Sequence, residues 1–354
     1  MSGPTGFGSA PREYRSRSTR LRLILAAPAV ALFTVITALI CAAKADITFR
    51  DPDHVAALYV VEVGVGVAFL VWLDIFLRAK RRTSNRWPSR AEMGVVRRER
   101  WTAKRAGGVA VALVAFYVTY LAYRNLKSMI PLLRPGDLFD SQLADLDRAF
   151  FFGHDPATLL HGALGTGISA HVMSVFYVAF IVFLPLSLGL ALVFAEKIEV
   201  SLLYAAALSI NWVLGAASYF LLPALGPAYA DPSLFTSLPH TEVTNLQQML
   251  LDDRVAFLAN TAVGTPQAIA AFASLHIAMS FTALLAAYAL DLSRRVKWAL
   301  WLWLAMIFLS TIYLGWHYVV DDIAGFAIGA AGLWLACLIT GYDPRTRRSK
   351  EAPA

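Results

Sequence analysis

Eight long apolar runs, separated by polar stretches, recur along the 354-residue chain. Each run is about as long as the roughly 20 residues that an α-helix needs to cross the hydrocarbon core of a bilayer. The pattern therefore predicts an all-α polytopic membrane protein with about eight transmembrane helices and no cleaved signal peptide. The predicted spans are residues 21–43, 55–77, 107–126, 170–195, 200–223, 267–290, 297–315 and 319–340.

The basic residues are divided unevenly between the two sides of these spans. If the N-terminus is inside, 24 of the 31 Lys and Arg residues fall in inner segments and 7 in outer ones. Inner loops of membrane proteins carry such an excess, so both termini are predicted to be cytoplasmic in a multi-pass protein of the cytoplasmic membrane. Outside the predicted cytoplasmic segments the sequence has no basic patch of the kind that binds nucleic acid, so no nucleic-acid partner is expected.

Polar segments complete the predicted organisation. Residues 1–20 are rich in Gly, Ser, Pro and Arg and predict a disordered cytoplasmic tail, and residues 342–354 form a second tail. The outer connections 127–169 and 224–266 are longer than usual loops, which indicates lids or re-entrant pieces. Within the first connection, residues 137–163 predict an amphipathic helix lying on the membrane surface.

The last span begins with ionisable residues, which are costly at membrane depth and usually mark a working site. His317 and Asp321 are four residues apart, so a helix beginning here would put both on one face, with the carboxylate orienting the imidazole. His276 precedes His317 by 41 residues, enough for one helix down and one back. It is expected about two turns in from the outer end of the sixth span, so both histidines should lie near the outer face.

Two imidazoles and one carboxylate suit a phosphoryl transfer. His317 would attack phosphorus, Asp321 would orient it, and His276 would donate a proton to the leaving alcohol. The two cysteines, Cys41 and Cys337, lie in apolar runs and indicate neither a disulfide nor a metal. Without a compact cluster of metal-ligating residues, no metal and no other cofactor is expected.

The segments that carry the histidines resemble motifs of a known family. The sequence Ser-Leu-His at 274–276 and His-Tyr-Val-Val-Asp at 317–321 resemble the second and third motifs of the PAP2 (type 2 phosphatidic acid phosphatase) superfamily. The Ser-Leu-His form, together with Tyr-Leu-Gly-Trp-His-Tyr-Val-Val-Asp at 313–321, resembles the inositol phosphorylceramide synthase branch more closely than the small lipid phosphatases. The resemblance covers about residues 110–340. It implies a PAP2-like catalytic membrane domain over 107–341, preceded at 21–106 by two extra transmembrane helices and a basic cytoplasmic loop.

The resemblance implies the same roles for the two histidines and the aspartate, but two positions depart from the family pattern. Ser310-Thr311 stands where the wider pattern has Ser-Arg, so the phosphate-binding arginine of the third motif is missing. Leu275 replaces the glycine of the second motif.

A phosphoryl site needs cations to balance the charge on the equatorial oxygens. The first family motif, Lys, six residues, Arg-Pro, occurs from Lys127 to Arg134-Pro135, and Arg124 is a rival phosphate ligand. Arg124, Lys127 and Arg134 are therefore the predicted phosphate-binding residues.

These observations predict an integral membrane phosphotransferase or phosphatase that acts on a lipid-linked phosphate ester at the outer face. The resemblance favours transfer of a phospho-headgroup to a lipid alcohol. The alternative within this class is plain hydrolysis, for example of phosphatidic acid or a polyprenyl pyrophosphate. A proton-coupled transporter is an alternative of another class, although no paired halves are visible. A non-catalytic membrane scaffold is a third, and it would leave the two histidines without a role.

Overall fold

The computed structural model describes residues 12–51, 55–83, 87–262 and 269–342. The predicted fold class is confirmed, because the described residues form thirteen α-helices and include no strand. Residues 343–354, most of the predicted C-terminal tail, lie outside the described part. The predicted disordered tail is described only from Arg12, where the first helix already begins.

The helices are numbered in chain order. They are α1 (Arg12–Lys44), α2 (Val55–Arg82), α3 (Arg90–Arg100), α4 (Ala103–Leu133), α5 (Asp140–Phe150), α6 (Pro156–Leu164), α7 (Ile168–Phe194), α8 (Ile198–Leu221), α9 (Pro227–Ala230), α10 (Glu242–Ala259), α11 (Leu275–Ala289), α12 (Arg294–Tyr313) and α13 (Val319–Thr340). A short 3-10 helix, Pro232–Phe235, follows α9.

Seven of these helices are long and apolar enough to cross a membrane, namely α1, α2, α4, α7, α8, α12 and α13. The remaining predicted span, 267–290, corresponds to α11, which has only 15 residues. It is shorter than predicted because the Ser274 side chain caps its first turn by accepting a hydrogen bond from the Ile277 backbone nitrogen. His276 consequently lies in the first turn of α11 and not two turns in.

Helix α8 is the centre of the bundle. Its most apolar window is 83% buried, whereas that of the peripheral α2 is 11% buried. Helix α13 packs closely on α8 and α11 through three glycines. A Cβ atom on Gly325 or Gly329 would lie 2.5 or 2.6 Å from the carbonyl oxygen of Ser274 or Ala278, and one on Gly332 would collide with the Asn211 side chain.

The basic loop between α2 and α4 is tied to the end of α7 by buried polar contacts. The carboxylate of Asp74 accepts hydrogen bonds from Arg78, Arg100 and the Trp101 indole. Arg100 also donates to the carbonyls of residues 193–195 at the C-terminal end of α7, where a cation is favoured by the helix dipole. This network fixes the ends of α2, α4 and α7 that lie away from the histidines.

The two long connections, predicted to lie on the outer side, are folded as short helices. The segment 137–163 forms two helices, α5 and α6, instead of the single one predicted, because Phe152 and Gly153 adopt left-handed backbone conformations between them. The second connection carries α9 and α10. Arg50, in the loop after α1, donates hydrogen bonds to the carbonyls of Thr261 and Ala262 just beyond α10, both at 2.6 Å.

Candidate active site

The predicted catalytic residues form one row of side chains at the N-terminal ends of α11 and α13. Nε2 of His317 lies 3.4 Å from Nδ1 of His276, and Nδ1 of His317 lies 3.4 Å from a carboxylate oxygen of Asp321. The second contact is not a well-aligned hydrogen bond, because Nδ1 has no hydrogen-bond partner among the described residues. Catalytic hydrogen bonds are often long before substrate binds. The carboxylate of Asp321, the imidazole of His317 and the imidazole of His276 thus lie in that order.

His317 lies in the connection between α12 and α13 and not on α13 itself, which begins at Val319. The backbone nitrogens of Trp316 and His317 both donate to the Thr311 carbonyl at the end of α12. Gly315 allows the turn, since it has a φ of 72° and a Cβ there would lie 2.5 Å from the Phe235 ring. Asp321, in the first turn of α13, then reaches back to accept a hydrogen bond from the Tyr318 nitrogen at 2.9 Å.

The two histidine segments are joined directly through the backbone. The nitrogen of Ser274, the residue that caps α11, donates to the Asp321 carbonyl at 2.9 Å. His276 is then held against α7, with the rings of Tyr177 and Phe180 centred 4.6 and 4.5 Å from the imidazole. The relative position of the two histidine segments, here called the histidine register, could not be predicted from the sequence spacing of the two histidines alone.

Two aspartates of α5 support the His317 segment, and sequence reasoning missed their role. Asp147 accepts hydrogen bonds from the backbone nitrogens of Val319 and Val320 at 2.7 and 3.1 Å, so it caps α13. Asp140 accepts from the Leu225 and Gly226 nitrogens and from the Tyr318 hydroxyl. Both lie on the buried face of α5, two turns apart, and that spacing of carboxylates on an apolar face was the available signal.

Asp322, in the first turn of α13, is buried. Its carboxylate accepts a hydrogen bond from the Thr311 hydroxyl at 2.8 Å and so joins α13 to α12. Thr311 occupies the position where the wider family pattern has arginine. The third-motif cation is thus replaced by a neutral hydroxyl that is bonded to a carboxylate.

Two of the three predicted phosphate ligands lie beside the histidines. Arg124 and Lys127 of α4 line a cavity of about 270 Å³ together with His276 and His317. Nη1 of Arg124 is buried and has no hydrogen-bond partner among the described residues. The Lys127 ammonium lies 5.7 Å from the centre of the Tyr219 ring. An unpaired buried guanidinium is costly, and an anion in this cavity would offset that cost.

The third predicted ligand, Arg134, is not in this cavity. Its Nε is paired with Asp137 at 2.8 Å, and its guanidinium also donates to the Phe220 carbonyl. It lines a smaller neighbouring cavity of about 200 Å³. The two basic residues of the first motif are therefore apart in the structure. Lys127 lies beside the histidines, and Arg134 lies in the neighbouring cavity.

The electrostatic environment keeps His317 neutral. Burial, followed by the nearby positive charge of Lys127, lowers the pKa of His317 to about 3, although the Ala271 backbone opposes this shift. A neutral imidazole is the form that a nucleophile requires. Burial also raises the pKa of Asp147, and its hydrogen bonds from Val319 and Val320 partly offset that effect.

No group of three or more His, Cys, Asp or Glu residues in the described part of the chain is placed to hold a metal ion. The positive charge that the described site itself offers to an anion comes from Arg124 and Lys127. The expectation of a reaction without a metal stays a prediction.

Comparison with known families identifies the class of protein. A family model described as PAP2 superfamily matches residues 141–335. Since this is more than half of the chain, the protein belongs to the PAP2 superfamily. No curated protein and no solved structure matches it.

Membership of this superfamily supports a phosphatase or phosphotransferase acting on lipid phosphates. The match contains His276, His317 and Asp321, but it begins after α4. The helix that carries Arg124 and Lys127 therefore lies outside it, as do α1 and α2.

Proposed function

We propose that the protein is a phosphotransferase that moves a phospho-headgroup from a lipid phosphate ester to a lipid alcohol through an intermediate on His317. This is the reaction type of the inositol phosphorylceramide synthase branch. The observation that carries the proposal is the row Asp321, His317, His276, whose two imidazoles line one cavity together with an unpaired arginine. The cavity is proposed to open to the outer face of the cytoplasmic membrane, in agreement with the distribution of basic residues.

In the first step, Nε2 of His317 attacks phosphorus and the bond to the leaving lipid oxygen breaks. His276 gives a proton to that oxygen, so a neutral alcohol leaves. The Nδ1 proton of His317 faces Asp321, whose carboxylate stabilises the positive charge that develops on the imidazole. In the second step, the acceptor alcohol loses its proton to His276, its oxygen attacks phosphorus, and the nitrogen–phosphorus bond breaks.

The imidazole contact must open before this chemistry can occur. A separation of 3.4 Å between the two ring nitrogens leaves no room for a phosphorus atom between them. An incoming phosphate would displace His276 from His317, and its negative charge favours the protonated form of His276 that serves as the acid. Arg124 and Lys127 would balance the charge on the phosphate oxygens during both steps.

Burial of the nucleophile favours transfer over hydrolysis. The His317 residue is only 4% exposed, and the rest of the cavity is lined largely by aromatic and aliphatic side chains such as Tyr120, Phe180 and Trp212. A site that excludes water protects a covalent intermediate until an alcohol arrives. Plain hydrolysis is the second candidate, because Arg124 and Lys127 would hold the phosphate beside the two histidines in the same way when water is the acceptor.

A donor and acceptor assay tests the proposal. Purified protein in nanodiscs would receive phosphatidylinositol, phosphatidic acid or a polyprenyl pyrophosphate, with or without a long-chain lipid alcohol, in the presence of EDTA. The proposal expects a new phospholipid that appears only when the alcohol is added, and its loss in His276→Ala and His317→Ala. The exposed His240 provides the matched control His240→Ala, which should retain activity.

Each other result has a distinct meaning. Release of free phosphate or headgroup without an alcohol-dependent lipid would replace the transferase by a phosphatase. Full activity in either site variant would exclude the histidine mechanism. Protonophore-sensitive solute uptake with no turnover of any donor would favour the transporter.

A further inference from the structure

A second cavity, here named the outer cavity, adjoins the catalytic one. It has a volume of about 200 Å³ and is lined by Arg134 from the end of α4 and Arg254 from α10. Leu225, Ile269 and Ala270 line both cavities, so the two spaces are neighbours across these three residues. Nothing in the proposed reaction at His317 uses either arginine.

The positive charge in the outer cavity is only partly neutralised. Arg254 is half-buried and makes no hydrogen bond and no ion pair within the described ranges of the chain. Burial lowers the pKa of its guanidinium, and the negative charge of Asp140 opposes this shift. That carboxylate is already occupied by the Leu225 and Gly226 nitrogens and the Tyr318 hydroxyl. Arg134 has one carboxylate partner, Asp137, which is itself 53% exposed.

The two cavities follow one another along the axis of helix α4. Phe116 and Tyr117 line the catalytic cavity toward the N-terminal part of α4, Arg124 and Lys127 follow along the helix, and Arg134 lies beyond them in the outer cavity. At about 1.5 Å per residue, the backbone of Arg134 is roughly 10 Å beyond that of Lys127. A lipid with its apolar chains at Phe116 and its phosphate at Arg124 would therefore extend its headgroup toward Arg134 and Arg254.

We propose that the outer cavity binds a second anionic group, carried by the headgroup beyond the phosphorus that His317 attacks. The substrate class is thus a lipid whose headgroup bears its own phosphate or carboxylate. This inference rests on the proposed headgroup transfer at His317 for its role in turnover, but not for the binding itself. A headgroup that ends in uncharged hydroxyls would leave the half-buried Arg254 guanidinium with only the already hydrogen-bonded Asp140 as a counter-charge.

Direct binding tests the inference without requiring turnover. The probes are inositol monophosphate and inositol bisphosphate, titrated into the full chain in nanodiscs at fixed ionic strength. We expect the bisphosphate to bind about tenfold more tightly, a difference of about 1.4 kcal/mol, because it engages both pairs of cations. Arg254→Gln should make the two affinities equal, and His317→Ala should keep them different. The matched control is Arg148→Gln, which removes an arginine paired with Asp145 and Asp155 and lining neither cavity.

Equal affinities for the two probes in the wild-type protein would overturn the inference, as would a preference that persists in Arg254→Gln. A turnover measurement separates this failure from failure of the proposed function. Preferential binding of the bisphosphate with no turnover of any donor would retain the outer site and reject the transferase. Turnover of phosphatidylinositol with no preference for its phosphorylated form would retain the transferase and reject the outer site.

Discussion

The carboxylate of Asp147 lies 2.7 Å from the backbone nitrogen of Val319, only two residues after His317. Asp147 belongs to α5, a short helix of the first outer connection, and it caps the last membrane helix of the bundle. The outer connection thus sets the start of α13, and through it the position of the proposed nucleophile relative to Asp321.

Replacing this cap should slow the reaction more than it weakens binding. Asp147→Asn keeps the side-chain volume but removes the charge that faces the N-terminus of α13, a contact worth about 1 kcal/mol. We expect kcat to fall about tenfold with a smaller change in KM, and the melting temperature in detergent to fall by a few degrees. The control is Asp145→Asn on the exposed side of the same helix, where the side chain is 73% exposed. Equal effects of the two variants would show that the cap does not position His317.

The cations of α4 should differ sharply in their effect on turnover. Arg124→Gln removes the unpaired guanidinium beside the histidines and should lower kcat/KM by at least about a hundredfold, because that charge faces the phosphate. Arg134→Gln should have a much smaller effect on a donor that has a single phosphate. Steady-state kinetics on one donor give both values. A larger loss of kcat/KM in Arg134→Gln than in Arg124→Gln would instead indicate that the first-motif residue Arg134 binds the phosphate.

The acid stability of the protein should depend on His317. Its pKa is lowered to about 3 in the folded protein, below the ordinary value of 6.5. Between these two values the unfolded chain binds the additional proton, so stability falls as pH decreases through this window. Acidification from pH 7 to pH 5 should cost about 2 kcal/mol through this residue.

Melting curves at these two pH values check the expectation. His317→Gln should lose less stability on acidification than the wild-type protein, whereas His240→Gln, which changes an exposed histidine, should behave like the wild type. An identical loss in His317→Gln would mean that His317 is not held neutral by its surroundings.

Close packing of α13 on α11 should be required for the histidine register. A Cβ on Gly325 would lie 2.5 Å from the carbonyl of Ser274, the residue that caps α11 and bonds to Asp321. Gly325→Ala should therefore lower both the melting temperature and kcat, since one of the two backbones must shift. Gly64→Ala in α2 is the control, because nothing lies within 4 Å of its Cβ position. Wild-type activity in Gly325→Ala would show that the register tolerates displacement of α13.

The sequence could predict the bundle because long apolar runs and the distribution of basic residues are local features. The superfamily was also predicted correctly, from the residues around His276 and His317. The predicted span 319–340 agrees with α13 at both ends. The start of α11 was placed too early, since it depends on the Ser274 cap and on the bond from the Ser274 nitrogen to the Asp321 carbonyl.

The supporting contacts of the site were hidden for a different reason. Asp147 and Val319 are 172 residues apart, and the atoms that Asp147 binds are backbone nitrogens, which carry no sequence signal. The separation of Lys127 from Arg134 was likewise invisible. The two residues form one motif by spacing, but Asp137 holds the second one at the outer cavity.

The most direct test is to identify the residue that becomes covalently modified during turnover. The protein would be mixed with a donor labelled in its headgroup phosphate, quenched in alkali to preserve phosphorus–nitrogen bonds, and digested for mass spectrometry. We predict that His317 carries the phospho-headgroup, that the bond is lost in acid, and that adding a lipid alcohol discharges it. A label on another residue, or turnover by His317→Ala, would contradict the proposed histidine intermediate.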